Sequence, residues 1–170
     1  MDDAASLAPI DAGPVKIKEK LLVVDDDELI LESLISIFDS EGYSSAFART
    51  GGDALRLLER ETFNIMIVDV KLPDMTGLEL LGRIKDTTPR MRKLVLTGFP
   101  DAPSAIEAVN KKVDAYLVKP FDPESLLKLV ADNLKEQRDE LRYTQERVLD
   151  YIRTRVKQLD ETRNTTERCV

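Results

Sequence analysis

Four short apolar runs, each followed at once by a polar or charged residue, constrain this chain most. They are Leu21-Leu22-Val23-Val24, Ile65-Met66-Ile67-Val68, Leu94-Val95-Leu96 (opened by Lys93) and Ala115-Tyr116-Leu117-Val118. Continuous rather than alternating hydrophobicity over so few residues is the pattern of a strand buried on both faces. Tyr43–Ala48 reads as one more strand. Between the strands, helical spacing predicts Glu28–Ser40, ended by Gly42, then Asp53–Glu59 after a Gly51-Gly52 turn. Leu78–Lys85 and Ser104–Asn110 read as further helices, and Pro123 opens the last at a favoured first-turn position. Five strands alternating with five helices call for parallel pairing through right-handed crossovers. About 115 residues lie between Lys20 and Lys135, which suits an open, doubly wound α/β sheet and is about half of what a closed eight-fold barrel needs.

Three segments follow. Residues 1–18 are rich in Asp, Ala, Pro and Gly and read as a flexible leader; 19–135 form the folded domain; 136–170 are a helical extension. The extension carries no Pro or Gly, and nine basic residues balance nine acidic ones from 131 onward, so no stop signal ends the last helix near Lys135. Leu127, Val130, Leu134, Leu141 and Val148 lie near a seven-residue spacing. Val148, Ile152, Val156 and Leu159 then step by four, four and three. This set predicts a dimerising coiled coil with Leu134, Leu141, Val148, Ile152 and Leu159 on its seam, interrupted by Gln137 and Thr144. The alternative is a solvated single helix.

Composition removes several chemistries. The chain has no histidine, so Ser-His-Asp, Cys-His and His-zinc sites are excluded. A lone cysteine, Cys169, rules out an internal disulfide. A net charge of −7 argues against direct nucleic-acid binding. No stretch approaches the roughly 18 apolar residues of a membrane helix, and no secretory signal opens the chain, so a cytoplasmic location is expected.

In an open α/β sheet the working crevice lies beyond the carboxyl ends of the strands. There this sequence places Asp25-Asp26-Asp27, Asp69, Thr97 and Lys119. Converging carboxylates repel unless a cation sits among them. Oxygen donors without His or Cys favour a hard ion, Mg²⁺ first and Mn²⁺ second. Lys119 adds a positive point charge and Thr97 a hydroxyl, which together suit a phosphoryl group. Taken singly each residue has a plain reading, and for Asp27 a cap on the helix from Glu28 is preferred.

The runs L-L-V-V-D-D-D, I-V-D-V-K-L-P-D-M-T-G-L-E-L-L, L-V-L-T-G and Y-L-V-K-P-F together resemble the receiver domain of two-component response regulators, over about Lys18 to Lys135. The resemblance implies the flavodoxin-like strand order 2-1-3-4-5. It implies that Asp69 is the phosphoacceptor, and that Asp25, Asp26, Asp69 and the Lys71 backbone carbonyl hold Mg²⁺. It further implies that Thr97 and Lys119 bind phosphoryl oxygens, that Lys119-Pro120 is a cis peptide, and that Thr97 and Tyr116 are the switch pair. Lys71 and Phe99 depart from the chemotaxis members at positions that tune dephosphorylation, so a long-lived phosphoryl group is expected.

The implied partner is a sensor histidine kinase or phosphotransfer protein acting in trans, with a homodimer as the expected assembly. The expected function is a phosphorylation-switched signalling module without turnover of external substrates. Three alternatives remain at this point. The chain is the front of a longer regulator with a transcriptional or enzymatic output; or it is an aspartyl-phosphate phosphatase, against which Lys71 stands where that class has a second Asp; or it is a scaffold with a vestigial pocket.

Overall fold

The computed structural model describes residues 18–85, 87, 90–98, 110 and 113–167. Five strands, β1 (Lys20–Val24), β2 (Ser44–Ala48), β3 (Ile65–Asp69), β4 (Arg92–Thr97) and β5 (Ala115–Val118), form one parallel sheet in the order β2-β1-β3-β4-β5. The described helices are α1 (Glu28–Ser40), α2 (Gly51–Arg60), α3 (Gly77–Arg83) and α4 (Pro123–Glu167). The helix expected over Ser104–Asn110 falls, except for Asn110, outside the described residues.

The apolar runs divide by parity, as side chains on a pleated strand must. Leu22, Val24, Met66, Val68 and Val95 face one way and pack with Ala54 of α2 and Leu78, Leu80 and Leu81 of α3. Leu21, Val23, Ile65, Ile67, Leu94 and Leu96 face the other way, against Leu31, Leu34 and Phe38 of α1 and Leu126, Val130 and Leu134 of α4. Burial on both faces is why the runs of β1, β3 and β4 show no alternation; the run of β5, at the sheet edge, is only half-buried and its Val118 is exposed, against the sequence expectation.

Local chemistry sets the element ends. Asp27 caps α1 by accepting from the N–H groups of Leu29 (3.0 Å) and Ile30 (3.4 Å). At the other end Gly42 adopts φ 82°; its N–H reaches the carbonyl of Asp39 and that of Tyr43 reaches Phe38, each at 3.0 Å. This is the glycine-terminated helix end that only a residue free of a Cβ enters cheaply. Helix α2 starts two residues earlier than expected. Gly51 and Gly52 form its first turn because Thr50 caps it, accepting from the Asp53 N–H at 3.0 Å.

Helix α4 runs unbroken for 45 residues, about 67 Å at 1.5 Å per residue. Two residues of the expected seam behave differently. Leu134 is 1% exposed within this chain's own core and cannot serve an intermolecular seam. Gln137, read as a polar interruption of that seam, is 3% exposed. Its amide donates to the carbonyls of Asn64 (3.0 Å) and Arg90 (2.7 Å) and accepts from the Asn64 side chain (3.0 Å). Buried Arg92 pairs with Glu140 at 2.8 Å, so α4 stays seated on the sheet beyond Lys135. Further along, Val148, Leu149, Ile152 and Val156 are each about half exposed. The side chain of Leu159 lies outside the described residues. Among the described residues no helix is long and apolar enough to cross a membrane.

Arg92 also pairs with Asp114 at 3.0 Å. Burial alone would push the Asp114 carboxyl up. Hydrogen bonds from Arg90, the Lys93 N–H and Arg92 outweigh it and hold the group below its ordinary 3.8. A carboxyl with a depressed folded pKa adds stability that is complete above its unfolded pKa and lost as pH falls through the folded one. Acid unfolding of the wild type should therefore steepen below about pH 4. Asp114→Asn should flatten that limb while lowering stability at pH 7, as followed by circular dichroism.

Candidate functional site

The carboxyl ends of β1, β3 and β5 bring Asp25, Asp69 and Lys119 into contact. The Lys119 Nζ lies 2.5 Å from Asp25 Oδ2 and 2.5 Å from Asp69 Oδ2. Register explains the meeting: Val24 and Val68 are paired, so the residues after them emerge side by side. Lys119 is aimed from the loop after β5, where its N–H bonds the Thr97 carbonyl at 2.8 Å and Lys119-Pro120 is cis. The second oxygen of each carboxylate is also held. Asp25 Oδ1 accepts from the Asp27 N–H at 3.0 Å, and Asp69 Oδ1 from the Lys71 N–H at 3.1 Å.

One ammonium shared between two carboxylates leaves a net negative charge in a partly dry place. Burial pushes the Asp25 carboxyl, 2% exposed, above its ordinary value despite the Lys119 and Asp27 bonds. Burial alone would lower the Lys119 amine, but its bonds to Asp25 and Asp69 prevail and raise it, so it stays charged.

The surrounding pocket has a volume of about 390 Å³ and is lined by Asp26, Asp27, Ile30, Lys71, Leu72, Pro73 and Gly98 besides the central three residues. Asp26 and Lys71 are exposed at its mouth. Thr97 is fully buried at the end of β4 and is not among the lining residues, whereas Gly98 is. Tyr116 is half-buried against the α2–α3 side of the core. Phe99 lies outside the described residues.

The donor set is all oxygen, from Asp25, Asp26 and Asp69, and suits a hard divalent ion better than a soft one. Among the described residues no three such groups are arranged to hold a metal, and the Lys119 ammonium contacts two of these carboxylates. The residues fit Mg²⁺ in kind, and admitting it requires the Lys119 ammonium to withdraw from at least one carboxylate.

Three supports went unnoticed in the sequence. Asp74 accepts from the N–H groups of Gly51 and Gly52, both at 2.9 Å. Thr76 and Glu79 close a reciprocal capping box on α3. Gly77 passes so close to the acceptor strand that a Cβ there would lie 2.1 Å from the Asp69 carbonyl oxygen. A Thr-x-x-Glu pattern was the readable signal for the second; the other two depend on contacts between distant segments.

Residues 21–131 match the response regulator receiver domain family. The chain belongs to that family. It is 35% identical over 116 residues to the transcriptional regulatory protein GlrR of Escherichia coli, covering 68% of this chain and 26% of that one. It is 37% identical over 112 residues to the response regulator protein FleR of Pseudomonas aeruginosa, covering 66% and 24%. This receiver chain thus spans about a quarter of the length of the curated relatives it matches. Among solved structures it resembles a CheY-like receiver domain protein from Methanospirillum hungatei (38% identity, TM-score 0.67, 72% of this chain and 98% of that one). It also resembles the signal receiver domain of an HD domain-containing protein from Pseudomonas fluorescens (33%, TM-score 0.68, 72% and 98%).

Proposed function

We propose that this receiver accepts a phosphoryl group on Asp69 from a phosphohistidine of a partner protein, and that the chain pairs with a second copy through α4. The observation that carries the first part is the Lys119 ammonium bridging Asp25 and Asp69. An Asp69 oxygen attacks the phosphorus, a P–O bond forms, and the P–N bond to the donor imidazole breaks. Asp25, Asp26, Asp69 and the Lys71 carbonyl would hold Mg²⁺, which neutralises charge on the phosphoryl oxygens when bound. Lys119 then turns from the carboxylates to the phosphoryl group, and the Thr97 hydroxyl reaches the same oxygens. Tyr116 follows Thr97 as the switch. Leu29, 74% exposed and next in the chain to the pocket residue Ile30, offers the donor protein an apolar foothold. The soluble, cytoplasmic setting expected of such a relay fits this reading.

For the second copy the support is the stripe Val148, Leu149, Ile152 and Val156, too apolar for a helix facing water all round. The seam starts at Leu141, half-buried at the edge of the receiver body, and so excludes Leu134. Residues 19–135 act as the receiver and 136–170 as the coupling helix, whose first turns stay seated on the receiver through Gln137 and Glu140. A second reading, the front of a longer transcriptional regulator, is favoured by the length of the relatives and is compatible with the first.

The test is solution mass by sedimentation, with and without a phosphoryl analogue plus Mg²⁺. The full chain is expected at twice its monomer mass. Ile152→Asp, which places a charge on the stripe, is expected to give the monomer and leave phosphoryl uptake unchanged. A wild type that sediments as a monomer under both conditions contradicts the paired helix.

A further inference from the structure

We infer that Asp74 is a positioning residue for the acceptor site, tying the loop that carries Lys71 to the start of α2. This rests on the proposed Mg²⁺-dependent acceptor role of Asp69.

The loop from Val70 to Thr76 leaves β3 directly after Asp69. It supplies the pocket wall through Lys71, Leu72 and Pro73 and returns to α3. Its two ends are pinned locally. A single antiparallel bridge joins Lys71 to Thr76, and the Gly77 N–H bonds the Val70 carbonyl at 2.8 Å. The tip between these pins has its own anchor. Asp74 places one carboxylate oxygen on the Gly51 N–H and the other on the Gly52 N–H, each at 2.9 Å. Met75 packs on Gly51 so closely that a Cβ at Gly51 would lie 2.5 Å from its sulfur. The tip is thereby fastened to an element more than twenty residues earlier in the chain.

The anchor suits a carboxylate. The first N–H groups of a helix lack partners inside it and carry partial positive charge. The two bonds hold the Asp74 carboxyl below its ordinary range. Helix α2 has a second, separate cap in Thr50, whose hydroxyl accepts from the Asp53 N–H and donates to the Asp53 carboxylate. The Asp74 contacts therefore fix where the loop sits relative to the sheet, in addition to ending the helix. A backbone carbonyl used as a metal ligand has no side-chain freedom to correct its aim, so it relies on such an outer support.

Thr50 supplies the control. Asp74→Ala and Thr50→Ala both remove a cap from α2, and only the first frees the loop. Mg²⁺ affinity is read by calorimetric titration of the full chain, and amide hydrogen exchange of residues 71–76 is read without metal. Asp74→Ala is expected to weaken Mg²⁺ binding about 10-fold and to speed exchange in the loop. Thr50→Ala is expected to leave both at the wild-type value. Asp74→Asn, which keeps one acceptor oxygen, should fall between. Unchanged Mg²⁺ affinity in Asp74→Ala, or an equal loss in Thr50→Ala, overturns the inference and leaves Asp74 as a helix cap only. A wild type that binds no Mg²⁺ overturns the underlying metal reading instead, and the exchange arm then still reports whether the tether exists.

Discussion

Gly77→Ala should unfold readily and lose phosphoryl uptake together. The added methyl would lie 2.1 Å from the Asp69 carbonyl oxygen and 2.9 Å from the Val68 side chain. Neither neighbour can yield cheaply, since Val68 is fully buried and Asp69 is held in the β3–β4 ladder opposite Leu96. Overpacking of this kind costs about 3 kcal/mol, roughly 10 °C in Tm for a chain of this size. The strain falls on the backbone of the acceptor residue itself. Relaxation that shifts the Asp69 backbone disturbs its contact with Lys119, so the surviving folded molecules should also be poor acceptors. A thermal melt combined with phosphoryl stoichiometry on the folded fraction checks both halves. A variant that melts like wild type contradicts the packing argument.

Lys119→Met should separate stability from metal affinity. In the metal-free protein the ammonium is the cation shared by Asp25 and Asp69. Removing it leaves two carboxylates facing each other, one of them nearly inaccessible to water. Loss of one member of such a cluster costs about 3 kcal/mol, so the metal-free Tm should drop by roughly 10 °C. The same vacancy favours a divalent ion, which no longer competes with a tethered amine. Mg²⁺ should bind at least about tenfold more tightly, equivalent to about 1.4 kcal/mol, and should restore most of the lost stability. Phosphoryl uptake should still fall, because the charge that would meet the phosphoryl oxygens is gone. Weaker Mg²⁺ binding in Lys119→Met would contradict the view that lysine and metal contend for one site.

How much of this was readable in the sequence follows from the range of each interaction. Leu21–Val24 and Ile65–Val68 announced their strands because burial on both faces leaves an unbroken apolar run. Asp27 and Gly42 announced the ends of α1 because capping is local. Asp25, Asp69 and Lys119 were legible as a group once the sheet was inferred, since parallel strands deliver their last residues to one edge. What escaped depends on pairing over long separations. Arg92 is a charged first residue of β4 that is nearly fully buried, which its pairing with Asp114, Glu136 and Glu140 explains. Gln137 lies on the stripe continued from Val130 and Leu134, and its spacing pointed inward. Its polarity reads as an interruption of an intermolecular seam, whereas it is bonded within the chain by Asn64 and Arg90. Asp74 stands within the run L-P-D-M-T-G, but its role has no local signature, because its partners are backbone N–H groups of another helix.

The residue that takes up a phosphoryl group decides whether Asp69 is the acceptor. Incubation of the full chain with a small phosphodonor and Mg²⁺, followed by reductive trapping and peptide mapping, locates it. One phosphoryl group per chain on Asp69, absent when the metal is chelated and absent in Asp69→Asn, is the predicted result. A group mapped to another residue, or uptake that persists in Asp69→Asn, would contradict it.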